Sequence, residues 1–359
     1  MKITFVLPGF SARPIGGFAV VYRYANELSR RGHAVTIVHP GTVDIRLRGV
    51  RWAKSWLWRP KALVTRNRGR PRWFELDDAV ATRLTPDLRS RAMPRGDVIF
   101  ATACNTARPV VRLPRSRGAG FYLIQGYENW TLSDAEVNAT WRLPLHKVVI
   151  ARWLQEIGVA LGEVDRLTYI PNGVDAGEYP MRVVPENREP NTIGLLYHDA
   201  ELKRTVDGVA AMSLVRERFP DVSLTVFGTT PRPAWLPEWA SYTENPSRRR
   251  LTELYNSFAI FLHTSRTEGF PLPPAEAMLS GCALVAAANR GVQEYAVEGR
   301  TALLAPIRDP EALADRVCSL LLDPVLRCRL AWNGHDALRL FTWDRAVDTM
   351  EVVLTEHTR

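Results

Sequence analysis

The stretch from Ser265 to Gly281, Ser-Arg-Thr-Glu-Gly-Phe-Pro-Leu-Pro-Pro-Ala-Glu-Ala-Met-Leu-Ser-Gly, leaves this chain few ways to fold. An apolar run precedes it, Phe258-Ala-Ile-Phe-Leu-His-Thr264, and another follows, Cys282-Ala-Leu-Val-Ala-Ala-Ala288. Both read as buried strands. Between them residues 272–280 read as a helix. Pro273 and Pro274 fall where a first turn tolerates a missing N–H, and Gly281 falls where a helix end favours a left-handed residue. Strand, turn, helix, strand is the unit of a parallel sheet covered by helices. It puts Glu268 at a strand's carboxyl end and Glu276 a turn or so into the helix. Open α/β sheets bind ligands in that crevice, and the N–H groups of the helix start favour an anion there.

Two carboxylates beside an anion site make sense if the anion belongs to a larger polyhydroxy ligand. A carboxylate accepts two hydrogen bonds from a vicinal diol, so one Glu can hold a ribose and the other a hexose. The N–H groups between them hold a diphosphate. That describes a nucleotide sugar. The competing reading makes Glu276 a solvated helix residue and Glu268 a loop charge.

Glu268, seven residues and Glu276, inside Glu-Gly-Phe-Pro-Leu-Pro-Pro-Ala-Glu-Ala-Met, closely resemble the signature of glycosyltransferase family 4. The Gly16-Gly17 turn, Tyr169-Ile-Pro-Asn-Gly-Val-Asp175 and Gly291-Val-Gln-Glu-Tyr-Ala-Val-Glu-Gly-Arg-Thr-Ala-Leu-Leu304 support the resemblance. It implies a retaining, metal-independent transferase of the GT-B fold: α/β, with two Rossmann-like doubly wound domains facing a central cleft. By resemblance Glu268 holds the transferred sugar and Glu276 the ribose. The backbone at Gly269, Phe270, Pro271 and Leu272 lines the sugar and phosphate pocket, with Leu272 the N–H donor there. Lys203 matches the lysine that neutralises the donor diphosphate. The arginine expected a few residues earlier is not at that spacing; His198 stands near it, and Arg204 replaces a usual glycine, so the cation partnering Lys203 stays open. Gly16 and Gly17, without side chains, let backbone approach the donor closely. Gln125-Gly-Tyr-Glu128 with Trp130 is similar to a segment of some rhamnosyl and surface-polysaccharide transferases. Gln125, Tyr127 and Glu128 are therefore acceptor-side candidates. Arg152, just past a strand end, joins them and could also reach the diphosphate.

Elsewhere the pattern fits two domains. Lys2–Pro8 reads as the first strand, Phe18–Arg31 as a helix ended by Gly32, and Ala34–His39 as the second strand. This opening lacks Gly-x-Gly-x-x-Gly and an acid closing strand two, so a dinucleotide fingerprint is not met. Further strands are expected at Val98–Ala101, Phe121–Ile124 and Lys147–Ile150, while 41–96 is irregular. A second series begins at Thr192–Tyr197, with helices at about 205–219, 247–257 and 272–280 and strands at Ser223–Phe227, 258–264 and 282–288. The expected boundaries are 1–172 for an acceptor-side domain and 188–341 for a donor domain. Polar, Pro-containing residues at about 173–190 read as the linker. A C-terminal helix at about 342–359 is expected, by resemblance, to pack back on the first domain.

Length 359 and 46% hydrophobic residues suit two cores. No apolar run approaches the ~20 residues that span a bilayer. Met1–Pro8 is too short for a signal-peptide core. Cys104, Cys282, Cys318 and Cys328 lack metal-ligand spacing and suggest reduced thiols in a cytoplasm. No Asp-x-Asp occurs, so neither a metal nor another cofactor is expected. The net charge of +9 is concentrated: ten Arg or Lys and no acid lie between Asp44 and Glu75, interleaved with Trp52, Trp56, Trp58 and Trp73. Residues 46–73 read as a solvated loop, as a peripheral contact with the cytoplasmic membrane face, or, ranked last, as a nucleic-acid site. The partners expected are a nucleotide-sugar donor and a glycan, lipid-linked or small-molecule acceptor. Two rivals remain: a non-catalytic nucleotide-sugar or glycan-binding protein, and another GT-B enzyme such as a sugar-nucleotide epimerase or a phosphorylase.

Overall fold

Short apolar strands separated by helices can satisfy their backbones in parallel sheets covered on both faces. The computed structural model, which describes residues 1–43, 69–130 and 132–358, contains two such sheets. The first comprises β1 (Lys2–Val6), β2 (Ala34–Pro40), β3 (Ala81–Thr85), β4 (Val98–Ala101), β5 (Ala119–Ile124), β6 (His146–Val149) and β7 (Leu167–Tyr169). Their order is β3-β2-β1-β4-β5-β6-β7, all parallel. Helices α1 (Gly16–Arg30), α2 (Cys104–Val111), α3 (Asp134–Trp141) and α4 (Arg152–Ala160) connect these strands.

The second sheet comprises β8 (Thr192–Tyr197), β9 (Ser223–Gly228), β10 (Ser241–Glu244), β11 (Ile260–His263), β12 (Ala283–Ala287) and β13 (Ala302–Ala305), in the order β10-β9-β8-β11-β12-β13. It too is parallel throughout. Its helices are α5 (Thr205–Arg218), α6 (Arg248–Ser257), α7 (Leu272–Leu279), α8 (Pro310–Leu322) and α9 (Pro324–Leu338). Central strands β11 and β12 are buried at every position, as a sheet covered on both faces requires.

One unit contains Met1–Asn172 with Trp343–Arg359, the other Gly173–Thr342. In the first, α10 (Trp343–Thr358) lies along α1. Arg31 there meets Asp348 at 2.5 Å and Glu351 at 2.7 Å, and His33 reaches Glu351 at 2.7 Å.

Three expectations change. Gly16 and Gly17 are not a turn but the first two residues of α1. The stretch read as irregular contains strand β3, which pairs with β2. The stretch read as a linker, 173–190, packs inside the second unit. Its anchor is Arg188, only 5% exposed. The Arg188 guanidinium donates to the carbonyls of Tyr255 at 2.9 Å, Phe258 at 2.6 Å and Val183, and to Ser280 O. A buried guanidinium needs such partners, and here main-chain carbonyls supply them.

Most of the basic aromatic segment lies outside the described residues. Of its described part, Arg70 donates to the carbonyls of Leu76, Asp77 and Val80, and the Trp73 indole donates to Ser11 O at 3.1 Å.

Candidate active site

The order of the second sheet reverses between β8 and β11, so their loops diverge beyond the strands' carboxyl ends. The 198–204 loop follows β8 and the 264–271 loop follows β11. Arg266 N donates to Leu202 O at 2.8 Å, and Thr264 Oγ1 donates to Lys203 O at 2.9 Å. These bonds align the loops, and Lys203 Nζ reaches Glu268 Oε1 at 2.6 Å. The two side chains keep 25% and 13% of their surface accessible. Burial pushes the Glu268 carboxyl up, but Lys203 and a hydrogen bond from Ser265 outweigh it and hold the group below its ordinary value.

The Glu268 loop is also gripped from its far side. Asn289 Nδ2 donates to Ser265 O at 2.9 Å, and Asn289 Oδ1 accepts from Val292 N at 2.9 Å. A Cβ on Gly291 would stand 2.4 Å from Glu268 O, so only glycine lets this backbone press so close. His263, at the end of β11, is driven by burial down to about 4 and is neutral at pH 7.

Glu276 sits on α7, which starts at Leu272 behind Pro271 and carries Pro273 and Pro274 in its first turn. Those prolines have no N–H, so Leu272 is the first donor that this helix end presents. The helix closes at Gly281, φ +93°, with Gly281 N bonded to Met278 O and Cys282 N to Ala277 O, both at 2.9 Å. Burial pushes the Glu276 carboxyl up to about 7, although hydroxyls of Tyr255 and Tyr179 bond to it. The Tyr255 bond to Oε2 is 3.0 Å. Phe270 is buried against Tyr295 and Phe341, and Pro271 O accepts from the Tyr295 hydroxyl at 2.6 Å. The Phe270 side chain therefore shapes the loop from beneath.

Two expected donor-site residues have partners close by in the chain. Arg204 takes a left-handed conformation, φ 50°, and turns back on its own helix, meeting Asp207 at 2.8 and 2.6 Å and Glu201 at 3.2 Å. His198 accepts from Ala200 N at 2.9 Å, and burial together with nearby Lys203 lowers its basicity, so the ring is neutral. The candidates of the first unit are engaged within it. Gln125 Nε2 donates to Gly17 O at 3.1 Å, and the Tyr127 hydroxyl donates to Asn138 Oδ1 at 2.9 Å. Glu128 accepts from Cys104 N, the start of α2, at 2.5 Å. The Arg152 guanidinium lies 4.8 Å from the Tyr169 ring centroid.

Sequence reasoning missed Tyr179, Tyr255, His263 and Asn289. Tyr179 falls in the stretch read as a linker, and Tyr255 reads as one more apolar helix position. Asn289 had a usable signal: a lone amide one residue beyond an apolar strand run. Among the described residues, no group of three or more His, Cys, Asp or Glu is placed to hold a metal ion. No helix among them is long and apolar enough to cross a membrane.

These features define a class: two Rossmann-like parallel-sheet units, the second with charged residues at its switch point. Residues 192–323 match the family model described as glycosyl transferases group 1. A D-inositol 3-phosphate glycosyltransferase of Xylanimonas cellulosilytica is 36% identical over 31% of this chain and 27% of its own length. A glycogen synthase of Mycobacterium tuberculosis is 25% identical over 64% of this chain and 57% of its own. The chain thus spans less than two thirds of either relative. Among solved structures, HepE of Anabaena, in complex with UDP and glucose, superposes with a TM-score of 0.72 at 15% identity, covering 99% of both chains. Sucrose-phosphate synthase of Thermosynechococcus elongatus gives 0.73 at 15% identity, covering 99% of this chain and 98% of that one. At such identities the likeness is one of fold, and that fold is GT-B.

Proposed function

We propose that the protein is a retaining, metal-independent glycosyltransferase of the family 4 type. It moves a hexosyl or deoxyhexosyl group from a nucleoside-diphosphate donor to a hydroxyl acceptor. The observation that carries this reading is the Lys203–Glu268 pair, 2.6 Å apart at the switch point, with Glu276 eight residues further on. The family match over 192–323 and the two relatives' names support it.

In this reading the second unit binds the donor. Lys203 exchanges its carboxylate partner for the diphosphate, and the α7 N-terminus adds its N–H and positive end. Together they stabilise the charge that grows on the leaving diphosphate. Glu268, kept ionised beside Lys203, accepts hydrogen bonds from the sugar and faces the oxocarbenium-like centre without forming a bond to it. Glu276 accepts from the ribose diol. The acceptor hydroxyl attacks the face the diphosphate leaves, which retains configuration. Bound in the first unit, the acceptor is a glycan, a lipid-linked glycan or a natural product.

The test is incubation with UDP-, GDP- and ADP-sugars and an acceptor mixture under excess chelator, following free nucleoside diphosphate. Acceptor-dependent release is expected. Binding without release would make the protein a nucleotide-sugar binder instead, and loss of turnover with chelator, restored by metal, would refute metal independence.

A further inference from the structure

Tyr255 lies on α6, fully buried, with its ring edge-on to Phe227 and Phe261 at 5.8 and 5.7 Å. A phenylalanine would serve that packing equally. The hydroxyl is used on Glu276 Oε2, at 3.0 Å. A second tyrosine, Tyr179, meets Tyr255 at 5.8 Å between ring centroids and also bonds Glu276. Its place is set by main-chain bonds on both sides. Thr252 Oγ1 donates to Glu178 O at 2.9 Å, and Asn256 accepts from Arg182 N at 2.6 Å while donating to Pro180 O at 3.0 Å.

We propose that Tyr255, with Tyr179 beside it, is a positioning residue of the donor site: the two hydroxyls orient Glu276 and occupy part of its acceptor capacity, leaving the rest to the vicinal diol of a nucleoside. This rests on the donor-site reading above and adds a dependence of donor affinity on tyrosine hydroxyls remote from the transferred sugar.

Hydrogen bonds donated to a carboxylate favour its charged form, and burial opposes it. With both hydroxyls in place, burial still holds Glu276 at about 7. Other groups face it as well. Glu178 disfavours its charge and Arg248 favours it, the two being paired at 2.8 Å. Tyr295 faces it from the 292–295 turn, and Cys282 lies beside Tyr255. From α9, His335 meets only the far end of α7, at Leu279 O. Removing the Tyr255 hydroxyl deletes a donor to the ionised form and moves the Glu276 midpoint upward. A protonated Glu276 has one fewer acceptor site for the diol.

The experiment is calorimetry with UDP, GDP and ADP against their 2′,3′-dideoxy counterparts, which keep base and diphosphate but lack the diol. The ratio of affinities isolates the diol contact and cancels titration of the phosphate. In the wild type this ratio should fall as pH drops through about 7. Tyr255→Phe should reduce it roughly fivefold near neutrality and restore it about one pH unit higher. Tyr179→Phe should shift it the same way by less. Equal loss for ribo and dideoxy ligands at every pH would make Tyr255 merely structural and overturn the proposal, as would a wild-type ratio independent of pH. If Tyr255→Phe does not fold, Tyr179→Phe and the wild-type profile still decide. If the wild type binds none of the diphosphates, the donor-site reading itself fails and takes this proposal with it. If it binds them and Glu276→Gln weakens them while both tyrosine variants match wild type, the proposal alone fails.

Discussion

Glu128 and Glu276 are both half-buried carboxylates beyond the strands of a parallel sheet, and burial pushes both upward. Their partners differ. Glu128 accepts from Cys104 N, at a helix start, and from the Cys104 side chain of the same residue. Glu276 accepts from side-chain hydroxyls, and Glu268 pairs with a lysine that remains partly accessible. A carboxylate bonded to a helix start ties that helix down. One held by side chains can share its lone pairs or exchange its partner for a ligand. The contrast sets two donor-side candidates against an acceptor-side one.

The largest effect that would break this contrast is expected at Lys203. Lys203→Ala should lower turnover by roughly 10²–10³-fold, about 2.7–4 kcal/mol of transition-state stabilisation, with little change in melting temperature. A well-folded variant turning over at the wild-type rate would show the Lys203–Glu268 pair to be structural.

Glu276→Gln sharpens the same contrast through pH. The folded-state carboxyl titrates at about 7, above its ordinary 4.5, so protonation favours the fold. The stability it contributes is fully present below about 4.5 and is lost as pH rises through about 7. The uncharged amide avoids that loss, so Glu276→Gln should melt higher than wild type at about pH 8, by about 3 kcal/mol, and much less so near pH 5. Its nucleoside diphosphate binding should weaken at the higher pH. A melting difference that is the same at both pH values would contradict the assignment.

Glu128→Ala, the counterpart in the first unit, should cost about 1–2 kcal/mol of stability by stripping α2 of its N-terminal acceptor. Nucleoside diphosphate affinity, measured by calorimetry, should stay as in wild type. A selective loss of turnover at full stability would return Glu128 to the acceptor side.

The strands visible in the sequence are the apolar ones at the middle of each sheet. Those missed, β3, β7, β10 and β13, are the four sheet edges. Edge strands are short and have a neighbour on one side only, and Ala81-Thr-Arg-Leu-Thr85 and Ser241-Tyr-Thr-Glu244 carry no apolar run. The positions of Glu268 and Glu276 were legible because a strand-turn-helix pattern assigns them locally, while Lys203 was picked out only by the resemblance to family 4. The roles of Arg204 and His198 were not, since spacing cannot show that Asp207 and Glu201 take the arginine's charge or that burial keeps the imidazole neutral.

By itself, the sequence determined the parallel βαβ architecture, the placing of Glu268 beyond a strand and of Glu276 in the helix that follows, and the glycines that end helices. Each follows from short-range periodicity and backbone limits, which a linear chain displays. Only the tertiary structure decided that Lys203 meets Glu268 across 65 residues, that Tyr179 leaves a supposed linker to flank Glu276, and that Gln125 and Glu128 bind backbone. Hydrogen bonds and burial depend on which groups the fold brings within about 3 Å, and sequence spacing does not carry that distance.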